Sequence, residues 1–459
     1  MKNTIIFYGD CSTPIQKKAI DTLSEFILDY TGLYPAFYKV GAPVDVTDCK
    51  VIYIGTKKDN LYIKENSSEV LTTPEEYLIE IKGGVVSIEG YDDAGVLYGV
   101  VDFYNKYLVD IDFINCRSYD EDFPDFKLKS APSIKHRGLW TWGHEIYNYK
   151  GYIDNMVKLK MNTLIMWNEF LPINAKEILA YANASNVKIV WGYSWLYNFN
   201  KPVELDGLDE KIDGIIEEFE NSYSDICLGG IYFQTFTESN EESFYGQDIA
   251  KTATEFVNKV SSKIFEKYPN LELQFGLHAT SVKNKLDIIK GVDERVRIVW
   301  EDCGAFPFTY QPNNIEGYDK TVEFTKKIAV LRGKNDKFGL VTKGFTCLNW
   351  KAFTHHIGPY NIGVSSKKTI KNRYEKQERV WRWVQSFWTT NKEKVKNLIK
   401  TVYDERGGNF YCTALVEAGL FEDKINFSVA MYGEILWNVD VDLENEYNLI
   451  TLRNYVEFA

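Results

Sequence analysis

The 459-residue sequence lacks both an excess of basic residues and a long apolar run. Its 53 Lys and Arg are outnumbered by 65 Asp and Glu, for a formal net charge of -12. Nucleic-acid binding needs a basic face for the phosphates, so we expect no nucleic-acid partner. The N-terminal apolar run "IIFY" is shorter than the ~7–15 residues of a signal-peptide core. No segment reaches the ~20 apolar residues of a membrane span, so we expect a cytoplasmic protein without a membrane partner.

Metal, redox and nucleotide motifs are also missing. The seven cysteines are scattered and show no CxxC spacing, which is typical of a reduced protein. The adjacent His355 and His356 do not have the spacing of a zinc motif such as HExxH. The stretch "GYDDAGVLYG" fits neither a dinucleotide nor a P-loop fingerprint, and the chain has no GxSxG elbow of a serine hydrolase. We therefore expect no metal and no cofactor.

What is present is a globular composition rich in aromatic residues. The chain is 45% hydrophobic and 26% charged, and aromatic residues make up 15%. Its length exceeds that of one ordinary compact domain, so we expect two domains. Most of the rings must lie in the core, because large rings carry much of the buried area. Trp and Tyr in loops would also suit a sugar site, where flat rings stack on the apolar faces of pyranoses.

Residues 1–125 are predicted to form a small α/β domain. The stretches "NTIIFYG" and "KVIYIG" read as strands, and "IQKKAIDTLSEFILDYTG" between them has helical spacing. Gly83 and Gly84 supply the turn of a hairpin in "EYLIEIKGGVVSIEG". Asp92 or Asp93 can cap the helix that follows. The stretch "DFPDFKLKSAPSIKHRG" is expected to link this domain to the next.

Residues 126–459 alternate apolar strands with amphipathic helices, a pattern that predicts parallel βαβ units. A helical excursion at 367–405 separates the seventh strand from the eighth. Eight strands imply a closed (β/α)8 TIM barrel behind the small α/β domain. The predicted strands are "KHRGLWTWG", "NTLIMWNEF", "VKIVWGYSW", "GGIYFQTFTE", "LELQFGLHA", "VRIVWEDCG", "FGLVTKGFTCLNW" and "VAMYGEILWN".

Nearly every predicted barrel strand ends in a polar or aromatic residue. The carboxyl ends of barrel strands converge on one face, where the active sites of this fold lie. Lys343, Lys351 and Arg137 could bind an acidic substrate group, although such residues more often form structural ion pairs. The predicted substrate-binding residues are Trp142, His144, Trp167, Asn168, Glu169, Trp195, Asn240, His278, Lys343, Trp350 and Trp437.

Carboxylates at these strand ends suit the cleavage of a glycosidic bond, which needs an acid and a second carboxylate. Glu238 is the candidate acid, because its apolar flanks would raise a carboxyl pKa by desolvation. Asp302 is the preferred base, with Glu301 close behind and Glu169 third. Glu301 and Asp302 are adjacent in a strand, so only one of them can easily face the pocket. The alternatives are that Glu238 caps the next helix and that one of the adjacent pair forms an ion pair with an arginine.

Four stretches resemble glycoside hydrolase family 67, the α-glucuronidases, and more distantly the family 20 β-hexosaminidases. The stretch "EYLIEIKGGVVSIEGYDDAGVLYGVVDFYNKYL" is similar to the end of their shared accessory domain, and "YIDNMVKLKMNTLIMWNE" to the entry of their second strand. "FQTFTESNE" is similar to the family 67 fourth strand, which implies that Glu238 is the acid. "YGEILWNVDVD" is similar to the closure of that family's barrel.

The resemblance implies an α-glucuronidase-like hydrolase that acts on oligosaccharides. A helical C-terminal region often mediates dimerisation in family 67, so a homodimer is one expectation. The chain departs from family 67 because "VTKGFTCLNW" offers no carboxylate on the seventh strand. It departs from family 20 because Thr237, not Asp, precedes Glu238. A β-N-acetylhexosaminidase-like enzyme and a catalytically silent carbohydrate-binding barrel are therefore the alternatives.

Overall fold

The structure, a computed structural model, describes most of the chain. It covers residues 2–10, 13–109, 121–196, 206–237, 241–278, 282–303, 317–345, 356–416 and 421–458. At positions 302, 303, 344 and 345 the description is of the backbone alone. Within these ranges no helix is long and apolar enough to cross a membrane.

Six strands form a mixed sheet in the N-terminal part of the chain. They are β1 (Asn3–Tyr8), β2 (Ala36–Lys39), β3 (Cys49–Gly55), β4 (Tyr77–Lys82), β5 (Val85–Gly90) and β6 (Phe126–Ser130). Their order is β2-β1-β3-β5-β4-β6, and β4 runs antiparallel to both of its neighbours. Three helices accompany the sheet: α1 (Pro14–Thr31), α2 (Leu61–Asn66) and α3 (Asp93–Asp102). α1 and α3 pack against each other, and α3 packs on β5.

Turn chemistry explains the local structure of this sheet. Gly83 and Gly84 have φ of 58° and 80°, the left-handed conformation that a tight hairpin turn needs. Asp92 caps α3, because its side chain accepts a hydrogen bond from the amide of Gly95. The stretch expected to be a linker instead contributes β6, which pairs with β4. The division of the chain at residue 125 stays a prediction.

The remaining long strands close into an eight-stranded parallel barrel, which confirms the predicted fold class. The barrel strands are β7 (His136–Trp142), β8 (Thr163–Trp167), β9 (Lys188–Ser194), β10 (Ile231–Gln234), β13 (Leu273–Leu277), β14 (Val296–Cys303), β15 (Phe338–Phe345) and β16 (Tyr411–Val416). They follow one another around the barrel in chain order, and β16 pairs with β7 to complete the ring. Two short pairs lie outside it: β11 (Ser243–Phe244) with β12 (Gln247–Asp248), and β17 (Ile425–Asn426) with β18 (Val456–Glu457).

Helices fill the connections between the barrel strands. They are α4 (Tyr149–Lys158), α5 (Ala175–Ala184), α6 (Leu208–Glu218), α7 (Ile249–Lys267), α8 (Leu286–Ile289), α9 (Tyr318–Ala329), α10 (Lys367–Arg406), α11 (Phe427–Trp437) and α12 (Leu443–Thr451). α10 has 40 residues and is about 60 Å long. It lies between β15 and β16, so the predicted helical excursion is confirmed.

The predicted eighth strand, "VAMYGEILWN", is wrong. Its residues form α11, and the eighth barrel strand is β16, "YCTALV". Every residue of α11 is buried, including its one charged residue, Glu434, so the sequence has no polar face that would mark it as a surface helix. A short, continuously apolar run has the same appearance in a buried strand and in a buried helix, and periodicity cannot separate the two.

Side chains from alternate strand positions fill the barrel interior. Near the amino ends of the strands, the ring of His136 stacks on Tyr411 at 4.0 Å between centroids. Burial, and after it the charge of Arg297, lower the pKa of His136 to about 2, so this imidazole is neutral. The interior cluster consists of Trp140, Trp142, Ile165, Trp167, Val190, Tyr232, Val299, Val341, Tyr411 and Leu415. This packing leaves the carboxyl ends of the strands as the place for a site.

A buried network of charges joins the N-terminal part of the chain to the barrel helices. It contains three acidic and three basic side chains: Asp102, Lys106, Lys160, Glu434, Glu446 and Arg453. The Lys160 ammonium lies 2.6 Å from Asp102 and 3.5 Å from Glu434. Formal charges cancel within the network, which is the condition under which buried charges are tolerated.

Candidate active site

The side chain of Glu301 lies inside the barrel at the carboxyl end of β14. Val299, two residues earlier, belongs to the interior cluster, and the alternation of a strand places Glu301 on the same face. The carboxylate accepts hydrogen bonds from the Tyr232 hydroxyl, from the Gln234 amide at 2.8 Å, and from His278 Nε2 at 2.8 Å. Only 3% of Glu301 is exposed.

Gly276 makes the space that this arrangement needs. It lies in β13, between β10 and β14 in the barrel. A β-carbon at Gly276 would stand 2.0 Å from Glu301 Oε1 and 2.3 Å from the Tyr232 hydroxyl oxygen. Any larger residue would therefore push the carboxylate and the phenol apart. The glycine is a packing requirement of the site.

The neighbours of Glu301 select its ionised form. A carboxylate has acceptor sites on both oxygens, whereas a protonated carboxyl must place its own proton on an acceptor. The Gln234 amide group donates to both oxygens, and His278 Nε2, 2.8 Å from Oε2, donates when this nitrogen carries the ring proton. The arrangement therefore suits Glu301 to accept a proton, attack a carbon or stabilise a positive charge, and does not suit it to act as an acid.

An aromatic wall lies beside this carboxylate. The Trp140 ring contacts Trp142 edge-on at 4.9 Å and Trp167 face-on at 6.3 Å. Tyr232 meets Trp140 at 6.0 Å and Trp167 at 6.2 Å, both edge-on. The phenol that binds Glu301 is thus part of the wall. Flat apolar surface beside a buried carboxylate is an arrangement that suits a sugar ring.

A second group of polar side chains, the rim cluster, follows the wall at the mouth of the barrel. His144 Nε2 lies 3.3 Å from Glu145 Oε1, and Arg373 of α10 lies 2.9 Å from Glu145 Oε2. Burial alone would raise the pKa of Glu145, but the hydrogen bond from His144 and the charge of Arg373 hold it below its ordinary value. Glu145 is therefore a carboxylate at neutral pH.

Aromatic rings complete the rim cluster, which consists of His144, Glu145, Asn168, His356, Tyr360 and Arg373. The His356 ring stacks on Tyr360 at 4.2 Å and 16°, and it lies 5.2 Å from the ring of His144. The Tyr360 hydroxyl donates to Asn168 Oδ1 at 3.3 Å. Side chains from three connections of the barrel and from α10 thus meet at one place.

Glu422 anchors the connection that carries His144 and Glu145. Its Oε1 accepts hydrogen bonds from the backbone amides of Tyr147 and Asn148. Its Oε2 is buried and has no hydrogen-bond partner among the described residues. Burial is the main cause that raises the pKa of Glu422 to about 7, with Glu145 adding repulsion.

We expect Glu422→Gln to stabilise the protein at pH 8 by up to about 3 kcal/mol and to have little effect at pH 4. The folded state holds the Glu422 proton up to about pH 7, while an unfolded glutamate loses it near its ordinary pKa of 4.5. Wild-type stability from this group is therefore present below pH 4.5 and is lost as the pH rises through 7. Urea unfolding of both proteins across pH 4–8 measures the difference, and a gain that is equal at all pH values would contradict it.

Two residues predicted to bind substrate lie elsewhere, and a third, which directly follows Asn168 in the chain, is exposed. Trp195 is fully buried and stacks on Phe233 at 3.7 Å. It directly follows β9 and lies five positions after the interior residue Val190. Residues an odd number of positions apart in extended chain point to opposite faces, so Trp195 faces the surrounding helices. Trp437 ends α11 and donates to Ser130 at 2.8 Å, at the junction with the N-terminal sheet. Glu169 is exposed.

Other predicted residues are described in part or not at all. Lys343 is buried and follows the interior residue Val341 by two positions, within a register shift in the pairing of β15 with β16. The backbone of Asp302 is in β14, but the description does not extend to its side chain. Outside the described residues lie Glu238, Asn240, Trp350, Lys351 and His355. Arg137, one of the three basic residues predicted to bind an acidic substrate group, instead forms a structural ion pair with Glu75 at 2.8 Å.

Sequence reasoning missed several residues that the structure brings to the site. Gln234 and Gly276 were not singled out, although both lie on barrel strands. Alternation with Tyr232 would have placed Gln234 on the interior face. No pattern in the sequence pointed to Arg373, because its partner Glu145 lies more than 200 positions earlier in the chain.

Among the described residues, no group of three or more His, Cys, Asp and Glu side chains could hold a metal ion.

Comparison by sequence identifies no relative of the chain. No protein-family model matches it, and no curated protein matches it either.

Comparison by structure shows a fold shared with glycoside hydrolases. BtGH115A, described as a family GH115 4-O-methyl-α-glucuronidase with specificity for decorated arabinogalactans, has 12% identity and a TM-score of 0.58. A GH138 enzyme targeting pectin rhamnogalacturonan II has 13% identity and a TM-score of 0.53, and CpGH84B has 15% and 0.57. The matches cover 96%, 97% and 98% of this chain.

The chain spans 57%, 65% and 71% of the lengths of these three proteins. At such identities the likeness concerns the fold alone, a closed eight-stranded barrel together with a six-stranded α/β sheet. It does not single out family 67.

Proposed function

We propose that the protein is a glycoside hydrolase that acts on oligosaccharides. The observation that carries this proposal is the Glu301 carboxylate, held by three hydrogen-bond donors beside a wall of tryptophans at the mouth of the barrel. A fold shared with glycoside hydrolases of three families supports it. Because one fold hosts many activities, the site carries more of the argument than the likeness does.

The proposed mechanism divides the work between two carboxyl groups. Glu238, which follows β10 by four positions in the sequence, protonates the glycosidic oxygen as its bond to the anomeric carbon breaks. Glu301 remains ionised and either deprotonates the attacking water or bonds to the anomeric carbon itself. A separation of about 5–5.5 Å between the two carboxyl groups would mean retention of configuration, and roughly 6.5–9.5 Å would mean inversion.

The proposed substrate carries a uronic acid, as in an α-glucuronidase. Lys343 supports this proposal, because it is a buried basic residue two positions after the interior residue Val341, towards the carboxyl end of β15. A lysine can bind a sugar carboxylate as a compact positive charge. An acetamido sugar or a neutral sugar has no charge with which to gain from this cation.

The test is product analysis on a panel of uronic-acid-decorated, acetamido and neutral oligosaccharides. We expect release of one uronic acid by the wild type and a loss of at least about a hundredfold in Glu238→Gln, since general-acid catalysis contributes about 10²–10⁴-fold. Glu255→Gln is the matched control, because Glu255 is exposed on α7. Its activity should equal that of the wild type.

Three other results of this experiment would each reject part of the proposal. Release of an acetamido sugar would replace the uronic acid by the hexosaminidase alternative. Binding without release by any variant would make the protein a catalytically silent carbohydrate-binding barrel. Equal activity of Glu238→Gln and the wild type would remove Glu238 as the acid.

A further inference from the structure

We propose that the rim cluster is a binding subsite for a second, neutral sugar of the oligosaccharide, the one that leaves when the glycosidic bond is cut. This inference rests on the proposed function. It concerns the part of the substrate that is not inside the barrel, and it assigns the ring pair His356 and Tyr360 as the surface on which that sugar lies.

The position of the cluster supports this assignment. His144 follows Trp142 by two residues and Asn168 follows Trp167 directly, so the cluster continues the aromatic wall outward. Gly143 makes the close contact between them: a β-carbon there would be 2.0 Å from Asn168 Oδ1 and 3.0 Å from the Tyr360 hydroxyl. A sugar bound against the wall would therefore have its neighbour at the cluster.

The rings offer a partly exposed surface of the right kind. His356 and Tyr360 are half-buried, whereas the His144 side chain is 13% exposed and Trp142 only 7%. Burial, and then the charge of His144, lower the pKa of His356 below its ordinary value, which favours a neutral imidazole at neutral pH. Neutral imidazole and phenol rings can pack against a pyranose and also hydrogen-bond to its hydroxyl groups.

The charges of the cluster favour a sugar without a charge of its own. Glu145 and Arg373 neutralise each other at 2.9 Å. A carboxylate has about four acceptor sites, so Glu145 can accept sugar hydroxyl protons in addition to its bonds with His144 and Arg373. A uronic acid at this place would meet an arginine already paired with Glu145, so the cluster offers it no net positive charge.

The test compares two substrates that release the same sugar: the oligosaccharide identified by product analysis, and the glycosyl fluoride of the released sugar, whose leaving group is too small to contact the rim cluster. We expect His356→Ala to lower kcat/KM for the oligosaccharide by about tenfold or more and for the glycosyl fluoride by less than about twofold. Binding to parts of the substrate remote from the cleaved bond contributes to kcat/KM in this way. Tyr360→Phe keeps the ring and loses the contact with Asn168, so it should have the smaller effect of the two.

Tyr34→Ala is the control, because Tyr34 is an aromatic residue 80% exposed in the N-terminal part of the chain. Thermal unfolding midpoints show whether each variant is folded. Equal losses on both substrates, or none on either, in folded His356→Ala and Tyr360→Phe would overturn the subsite. If product analysis finds no oligosaccharide that the wild type cleaves, the proposed function itself is rejected.

Discussion

Glu301→Gln should lower kcat/KM by about 10²–10⁴-fold and leave the fold unchanged. The amide has the size of the carboxylate, so it fits beside Gly276. It cannot take up a proton, and its NH₂ group would meet the donors Gln234 and His278 in place of an accepting oxygen. Initial rates on the substrate identified by product analysis, together with circular dichroism spectra, measure the two parts of this expectation.

Glu422→Gln provides a second glutamate-to-glutamine change for comparison, because it also neutralises a buried carboxyl near the mouth. Glu422 binds backbone amides outside the barrel interior, so its loss should not lower the rate to the same extent. Activity of Glu301→Gln within about threefold of the wild type would reject Glu301 as the second carboxylate, since such a small change lies below the range of acid–base catalysis. Asp302 would then become the candidate.

Lys160→Met should reduce the free energy of unfolding by about 3–5 kcal/mol. Lys160 is 1% exposed, and its ammonium neutralises Asp102 and part of Glu434. Removal of the cation leaves buried carboxylates without compensation, and methionine cannot hydrogen-bond to them. Urea unfolding followed by tryptophan fluorescence measures the change.

The matched control is Lys259→Met, which breaks an ion pair with Asp209 at 3.1 Å on the surface. Exposed pairs contribute only about 0–1 kcal/mol, so this variant should unfold nearly like the wild type. The double variant Asp102→Leu/Lys160→Met removes both charges together and should recover much of the stability that Lys160→Met loses. Equal effects of Lys160→Met and Lys259→Met would contradict a role for the buried network.

Local patterns were sufficient wherever the neighbouring residues decide the structure. The glycine pair at 83 and 84 predicted the hairpin, because few other residues adopt positive φ without strain. Asp92 was one of two residues predicted to cap α3, and its side chain does so. Seven of the barrel strands were placed by their apolar runs. The prediction of the eighth strand was wrong because α11 is buried on all sides. It has no polar face that would reveal its helical period.

The main limit on predicting the site was to know which side chains of each strand face the barrel interior. Trp195 had the right residue type and position along the chain, but its side chain faces outward because it is one residue out of phase with the interior. The choice between Glu301 and Asp302 depended on the same parity, together with a register shift between Trp300 and Cys303 in the pairing of β14 with β15. Such shifts have no signal in single-strand patterns.

The sequence alone thus determined the fold class, most of its strands and helices, and the end of the barrel at which polar residues gather. These features follow from periodicity and turn chemistry, which act over a few residues. Tertiary structure decided which of those residues meet. Tyr232 and Glu301 are 69 positions apart, and Lys160 and Glu434 are 274 apart, so their contacts depend on how the barrel closes and how the N-terminal part of the chain packs against it. A local sequence pattern cannot predict these contacts, because each side chain is stabilised in its buried position only when its distant partner is present.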